Sequence, residues 1–202
     1  YPLAAAGRPT VPIGRFTRSM SYFAVIGFAF MLVQIGFLQR FAVYLGHPTY
    51  TLAVVLFSML LCAGLGSAIS ERLSIAPGRQ QFRLIPIAIA MALAVTALAL
   101  PVVVARTITA GLAARTLLVL AFTAPVATLL GFCFPIGMRL IADTPALAAW
   151  AWGLNGAFGV LASVLAVGLS IWVGIDTNFW LAAGLYGSLA LTMGAMTGRG
   201  RS

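Results

Sequence analysis

Chemistry needs side chains that ionise, coordinate or attack, and this chain has few of them. Its 202 residues include three carboxylates (Glu71, Asp143 and Asp176), one histidine (His47) and two cysteines (Cys62 and Cys133). A paired set of carboxylates for acid–base work is missing, and so is a nucleophile beside a base. Two cysteines and one distant histidine make no metal-ligand pattern, and one histidine cannot ligate haem from both sides. Gly64-Leu65-Gly66 fails as a dinucleotide fingerprint, because no strand precedes it and no acidic residue follows at the required distance. The expectation is a protein that is not an enzyme, with no catalytic, cofactor-binding or metal-ligating residues.

The polar side chains near apolar runs are the remaining candidates. Gln34, Gln39, Arg40, His47, Tyr50 and Asn155 are the candidate ligand-facing set. A buried amide needs a partner, so Gln34 and Asn155 read either as interhelical hydrogen bonds or as substrate contacts. Arg40 can snorkel to headgroups. His47, ahead of Pro48, is either a solvated turn residue or a polar cap able to sense pH. Glu71 pairs locally with Arg72, or reaches Arg139 from a neighbouring loop and latches two loops together.

These residues sit on elements that composition identifies. The chain is 62% hydrophobic and 7% charged, against about a quarter charged in soluble domains. Six runs are long enough to cross a bilayer, at 21–38, 51–69, 84–105, 117–141, 148–173 and 179–196. Each must be helical, since lipid offers no partner to a free backbone group. The fold expected is an all-α transmembrane bundle of six spans. It divides into a basic Pro/Gly-rich linker (1–20), the membrane domain (21–198) and a basic tail (199–202). The chain opens on Tyr1, and a fragment or processed product is expected.

All twelve basic residues are arginine and the net charge is +9. They lie between apolar runs rather than on a face interleaved with aromatics, which points away from nucleic acid. With the N-terminus in the cytoplasm, nine arginines fall inside and three (Arg40, Arg106 and Arg115) outside. Both termini are therefore expected inside, and the basic flanks favour bound anionic lipid.

Within the spans, Gly64 and Gly66 in the second and Gly156, Gly159 and Ser163 in the fifth are expected to let helices approach closely. Pro125 and Pro135, with Gly131 and Gly137, mark the fourth span as kinked and packed inside the bundle. The thiols read as small buried hydrophobes.

The run SYFAVIGFAFMLVQIGFLQRFAVYLGHPTYTLAVVLFSMLLCAGLGS, with GFCFPIGMRL and AWAWGLNGAFGVLASVLAV, resembles the membrane region of bacterial membrane-bound spermidine synthase-like proteins. LQRF, LGHP, GLGS, FPIGMR and WGLNGAFG together carry the likeness, over residues 21–174. The resemblance implies major-facilitator-like spans in a bacterial inner membrane. The family pattern carries a glutamate where this chain has Gln34, and it joins an aminopropyltransferase domain that these residues lack. Polyamine synthesis is therefore not assigned to this chain. The function expected is a non-catalytic membrane subunit or anchor packed against partner membrane proteins. The alternatives are a half-transporter for a small metabolite such as a polyamine, or the membrane part of an enzyme whose catalytic domain is on another chain. For a polycation carrier, the shortage of carboxylates is a handicap.

Overall fold

The structure is a computed structural model and describes residues 11–72 and 81–197. Among them seven α-helices follow one another: α1 (Ile13–Leu45), α2 (Pro48–Arg72), α3 (Gln81–Thr107), α4 (Leu112–Gly131), α5 (Cys133–Leu140), α6 (Pro145–Trp172) and α7 (Thr177–Thr197). Five stretches are long and apolar enough to cross a membrane, with α4 and α5 counted as the single stretch Leu112–Leu140. The chain is an all-helical bundle of multi-pass membrane type.

The order of burial is set by α1. Ala29, Leu32, Val33, Phe37 and Phe41 have no exposed surface, because α6, α7, α2 and the α4–α5 pair surround this helix. The other extensive contacts join α2 to α4 and α3 to α7. Exposed Leu, Val, Ile and Phe side chains cover the outer faces, among them Phe57, Leu60, Leu98, Val160 and Ile171. That pattern inverts the polar surface of a soluble bundle and suits a hydrocarbon solvent.

Three boundaries differ from the sequence reading, each for a local reason. The first helix begins at Ile13, so 13–20 belong to it rather than to a linker. Pro12 serves as its N-cap and no further proline follows, so the basic turns continue the helix. The polar stretch 39–50 is not a loop: α1 runs to Leu45 and α2 starts at Pro48. Gly46 makes this two-residue turn feasible, adopting φ 75° as its N–H reaches the Ala42 carbonyl at 3.2 Å. The fourth span divides into α4 and α5 at Phe132, which keeps helical dihedrals (φ −70°, ψ −31°) three residues before Pro135, whose missing N–H interrupts the ladder. Pro125, by contrast, is accommodated inside α4. The Tyr22 hydroxyl donates to the Cys133 carbonyl at 2.7 Å, holding the break against α1. The tail 199–202 and residues 1–10 lie outside the described residues.

Charged contacts mark the two ends of the bundle. At one end Arg15 grips both oxygens of Asp143, at 2.5 and 2.7 Å, and Arg139 donates to the Ser70 carbonyl at 2.6 Å. At the other end Arg40 pairs with Asp176, and Arg115 donates to the Tyr44 carbonyl at 2.8 Å while lying over its ring. Arg15 and Arg40 are 25 residues apart on one helix, roughly 38 Å at 1.5 Å per residue. A bilayer's hydrocarbon core is about 30 Å thick. The arginines are thus spaced for the two headgroup levels.

Candidate functional site

A groove of about 660 Å³ lies between α2 and α6. One wall is Leu60, Ala63, Gly64 and Ser67 of α2; the opposite wall runs from Trp152 to Ser163 of α6. Gly27, Phe30 and Met31 of α1 floor it, and Phe134 and Pro135 close the α5 side. On that side Phe134, the residue before Pro135, meets the Trp152 ring edge-on at 4.5 Å. The lining is mainly apolar, and Trp152, Val160 and Leu60 are all more than 60% exposed, so the groove opens sideways.

Asn155 is the amide in this groove. Its Nδ2 donates to the Phe23 carbonyl at 3.1 Å, and its backbone lies against Gly27 so closely that a side chain there would overlap the Asn155 carbonyl. Asn155 therefore ties α6 to α1 at the point where the two backbones meet. Among the remaining candidates, Gln34 is half-buried, is absent from the groove lining and hydrogen-bonds no described residue. Tyr50 and His47 lie at the far end. Tyr50 shares a 3.0 Å hydrogen bond with Thr116 of α4, and His47 is exposed in the turn. The six polar candidates are not brought together in one site.

Gln39 and Arg40 instead join a polar cluster that links α1 to α6 and α7. Asn178 Nδ2 donates to the Ser170 hydroxyl at 2.7 Å, and Ser170 donates to Gln39 Oε1. Asn178 is fully buried, and its Oδ1 has no described partner. Ser170, Asn178 and the Asp176 partner of Arg40 were not among the sequence candidates. A signal for Asp176 existed, since the expected topology puts Arg40 and Asp176 on one side and Arg15 and Asp143 on the other.

The proposed latch takes a different form. Arg139 reaches the carbonyl and hydroxyl of Ser70, whereas Glu71 and Arg72 are both exposed. A helix end leaves its last carbonyls open to such a donor. Arg15 holds the Asp143 carboxyl below its ordinary value, chiefly by direct hydrogen bonding.

The small residues divide into two groups. Gly66 lies against the Thr128 backbone and Gly131 against the Ala63 backbone, a reciprocal close crossing of α2 and α4. Gly159 faces Met31 of α1, where an added methyl would come 3.3 Å from its Cγ. Gly64 and Gly156 do not pack closely on a helix: nothing lies within 4 Å of a Cβ placed at either. Ser163 bonds its own helix, at the Val160 carbonyl, 2.7 Å away. These last three residues line the groove walls instead. Among the described residues no three His, Cys, Asp or Glu side chains form a cluster able to hold a metal.

Fold and site together define a multi-pass membrane helix bundle with a lateral apolar groove. Searches against protein-family models, curated proteins and solved structures found no match.

Proposed function

We propose that this chain is a non-catalytic integral membrane subunit whose α2–α6 groove receives a helix of a partner membrane protein. The observation carrying this reading is the pair of open glycines, Gly64 and Gly156, on facing walls of a laterally open groove. Small residues permit the close backbone approach on which helix association in lipid depends. The amides bear on the same point. Asn155 and Gln39 are bonded to neighbouring helices, and the groove contains neither Gln34 nor Tyr50. A half-transporter needs such groups in one polar chamber, so that reading has less support.

The proposal extends to topology and origin. Six spans with both termini in the cytoplasm put the Arg15 end inside and the Arg40 end outside. The arginine bias supports this: two of the three outer arginines, Arg40 and Arg115, are already engaged by Asp176 and the Tyr44 carbonyl. A bacterial inner membrane and descent from a spermidine synthase-like membrane domain follow from the sequence resemblance. Purification in mild detergent, with identification of what accompanies the chain, tests the subunit reading. A stoichiometric membrane partner is expected; a monomer running alone would remove the proposal.

A further inference from the structure

We propose that a second cavity, at the Arg15 end between α1 and α5, binds the phosphodiester headgroup of an anionic phospholipid. Its volume is about 290 Å³, and Arg15, Arg18, Ser19, Tyr22, Phe23 and Leu140 are among its lining residues. Taking about 30 Å³ as one water's share of liquid volume, the space equals roughly ten waters. That is ample for a phosphate that keeps part of its hydration.

The donors converge by helix geometry. Arg15 and Ser19, like Arg18 and Tyr22, are four residues apart and share one face of α1. Arg15 is held in place by Asp143, which also neutralises it. Arg18 has no ion-pair or hydrogen-bond partner among the described residues and supplies the uncompensated charge. Many helix hydroxyls here bond back to their own helix, as Thr17, Thr96 and Thr123 do. Ser19 makes no such bond and lines the cavity. The Tyr22 hydroxyl is spent on the Cys133 carbonyl, so an anion would meet two guanidinium groups and one hydroxyl.

The deeper wall selects lipid over free phosphate. Phe23, Leu140 and Ile141 give it an apolar lining, and the apolar course of α1 begins at Met20, just beyond Ser19. A soluble anion has no use for that wall, whereas the glycerol and first methylenes of a phospholipid do. Basic pockets between membrane helices are suited to such headgroups, and one arginine near the surface contributes enough to change affinity about five-fold.

The experiment is native mass spectrometry of the protein from nanodiscs of phosphatidylglycerol and phosphatidylcholine in equal parts. Wild type is expected to retain phosphatidylglycerol. Arg18→Ala should lose about five-fold in retention, Arg18→Lys should keep most of it, and Arg72→Ala, at the same end of the bundle, should match wild type. Arg18 is exposed, so circular dichroism should be unchanged in each variant. Equal retention of both lipids, no effect of Arg18→Ala, or an equal loss with Arg72→Ala would overturn the site. Displacement of the lipid by inorganic phosphate, with phosphate binding alone to detergent-purified protein, would make it a soluble-anion site and overturn the lipid assignment. None of these outcomes depends on whether a partner occupies the α2–α6 groove.

Discussion

Both aspartates of this chain hold an arginine from a distant helix, and they do different work. Asp143 and Arg15 are 61% and 40% exposed, so solvent screens them. The lowered pKa of Asp143 means that its contribution is complete above the ordinary carboxylate pKa and is lost as pH falls through the lowered one. Asp143→Asn should therefore melt slightly below wild type at neutral pH, with the difference closing in acid. A difference that widened in acid would contradict the pairing. Arg40 and Asp176 are less exposed, at 22% and 36%, and tie α1 to the α6–α7 turn. A double-mutant cycle with Arg40→Gln and Asp176→Asn should give a coupling on the order of 1 kcal/mol, and additive effects would dismiss the tie. The acids were legible as residues because there are only three of them. Their partners were not, because pairing is decided by which helix ends meet. Asn178 was hidden for a related reason: it sits at the start of α7, where a sequence reading draws the membrane boundary.

At the scale of the helix, the same residue type serves two purposes. Gly66 and Gly131 let α2 and α4 interlock, while Gly64 and Gly156 leave space. Gly66→Ala or Gly131→Ala would push a methyl into a facing backbone carbonyl, and each should cost about 1–3 kcal/mol. Gly64→Ala and Gly156→Ala should be neutral or slightly stabilising in the same detergent unfolding assay. Equal losses at all four positions would contradict the crossing. The sequence showed small residues but not their facing. Gly64 and Gly66 are two apart, about 200° around a helix, and cannot address one partner. Helix existence was legible throughout, because runs of some twenty apolar residues have no other folded form in lipid. The interruption at Phe132 was half legible: Pro135 pointed to it, but Pro125, the same residue type in the same span, lies inside α4 without ending the helix.

For the whole molecule, α1 is the axis on which the bundle is assembled, and the spacing of the charged contacts at its two ends matches the thickness of a bilayer. The proposed orientation has a direct check. In a Cys62→Ser background, His47→Cys should react with a membrane-impermeant thiol reagent added outside cells, and Arg72→Cys only after the membrane is opened; the reverse pattern would invert the topology. The subunit reading is tested most directly by filling the groove without touching the fold. At Gly64 and Gly156 an added Cβ meets nothing within 4 Å, and the rest of a leucine side chain would extend into the groove that both residues line, so Gly64→Leu and Gly156→Leu should each purify with wild-type helicity and melting temperature. Co-purification of the partner, quantified against wild type from the same membranes, is the deciding measurement. The groove account predicts that the partner is lost from both variants while the chain itself stays folded; full retention of the partner by both would contradict it.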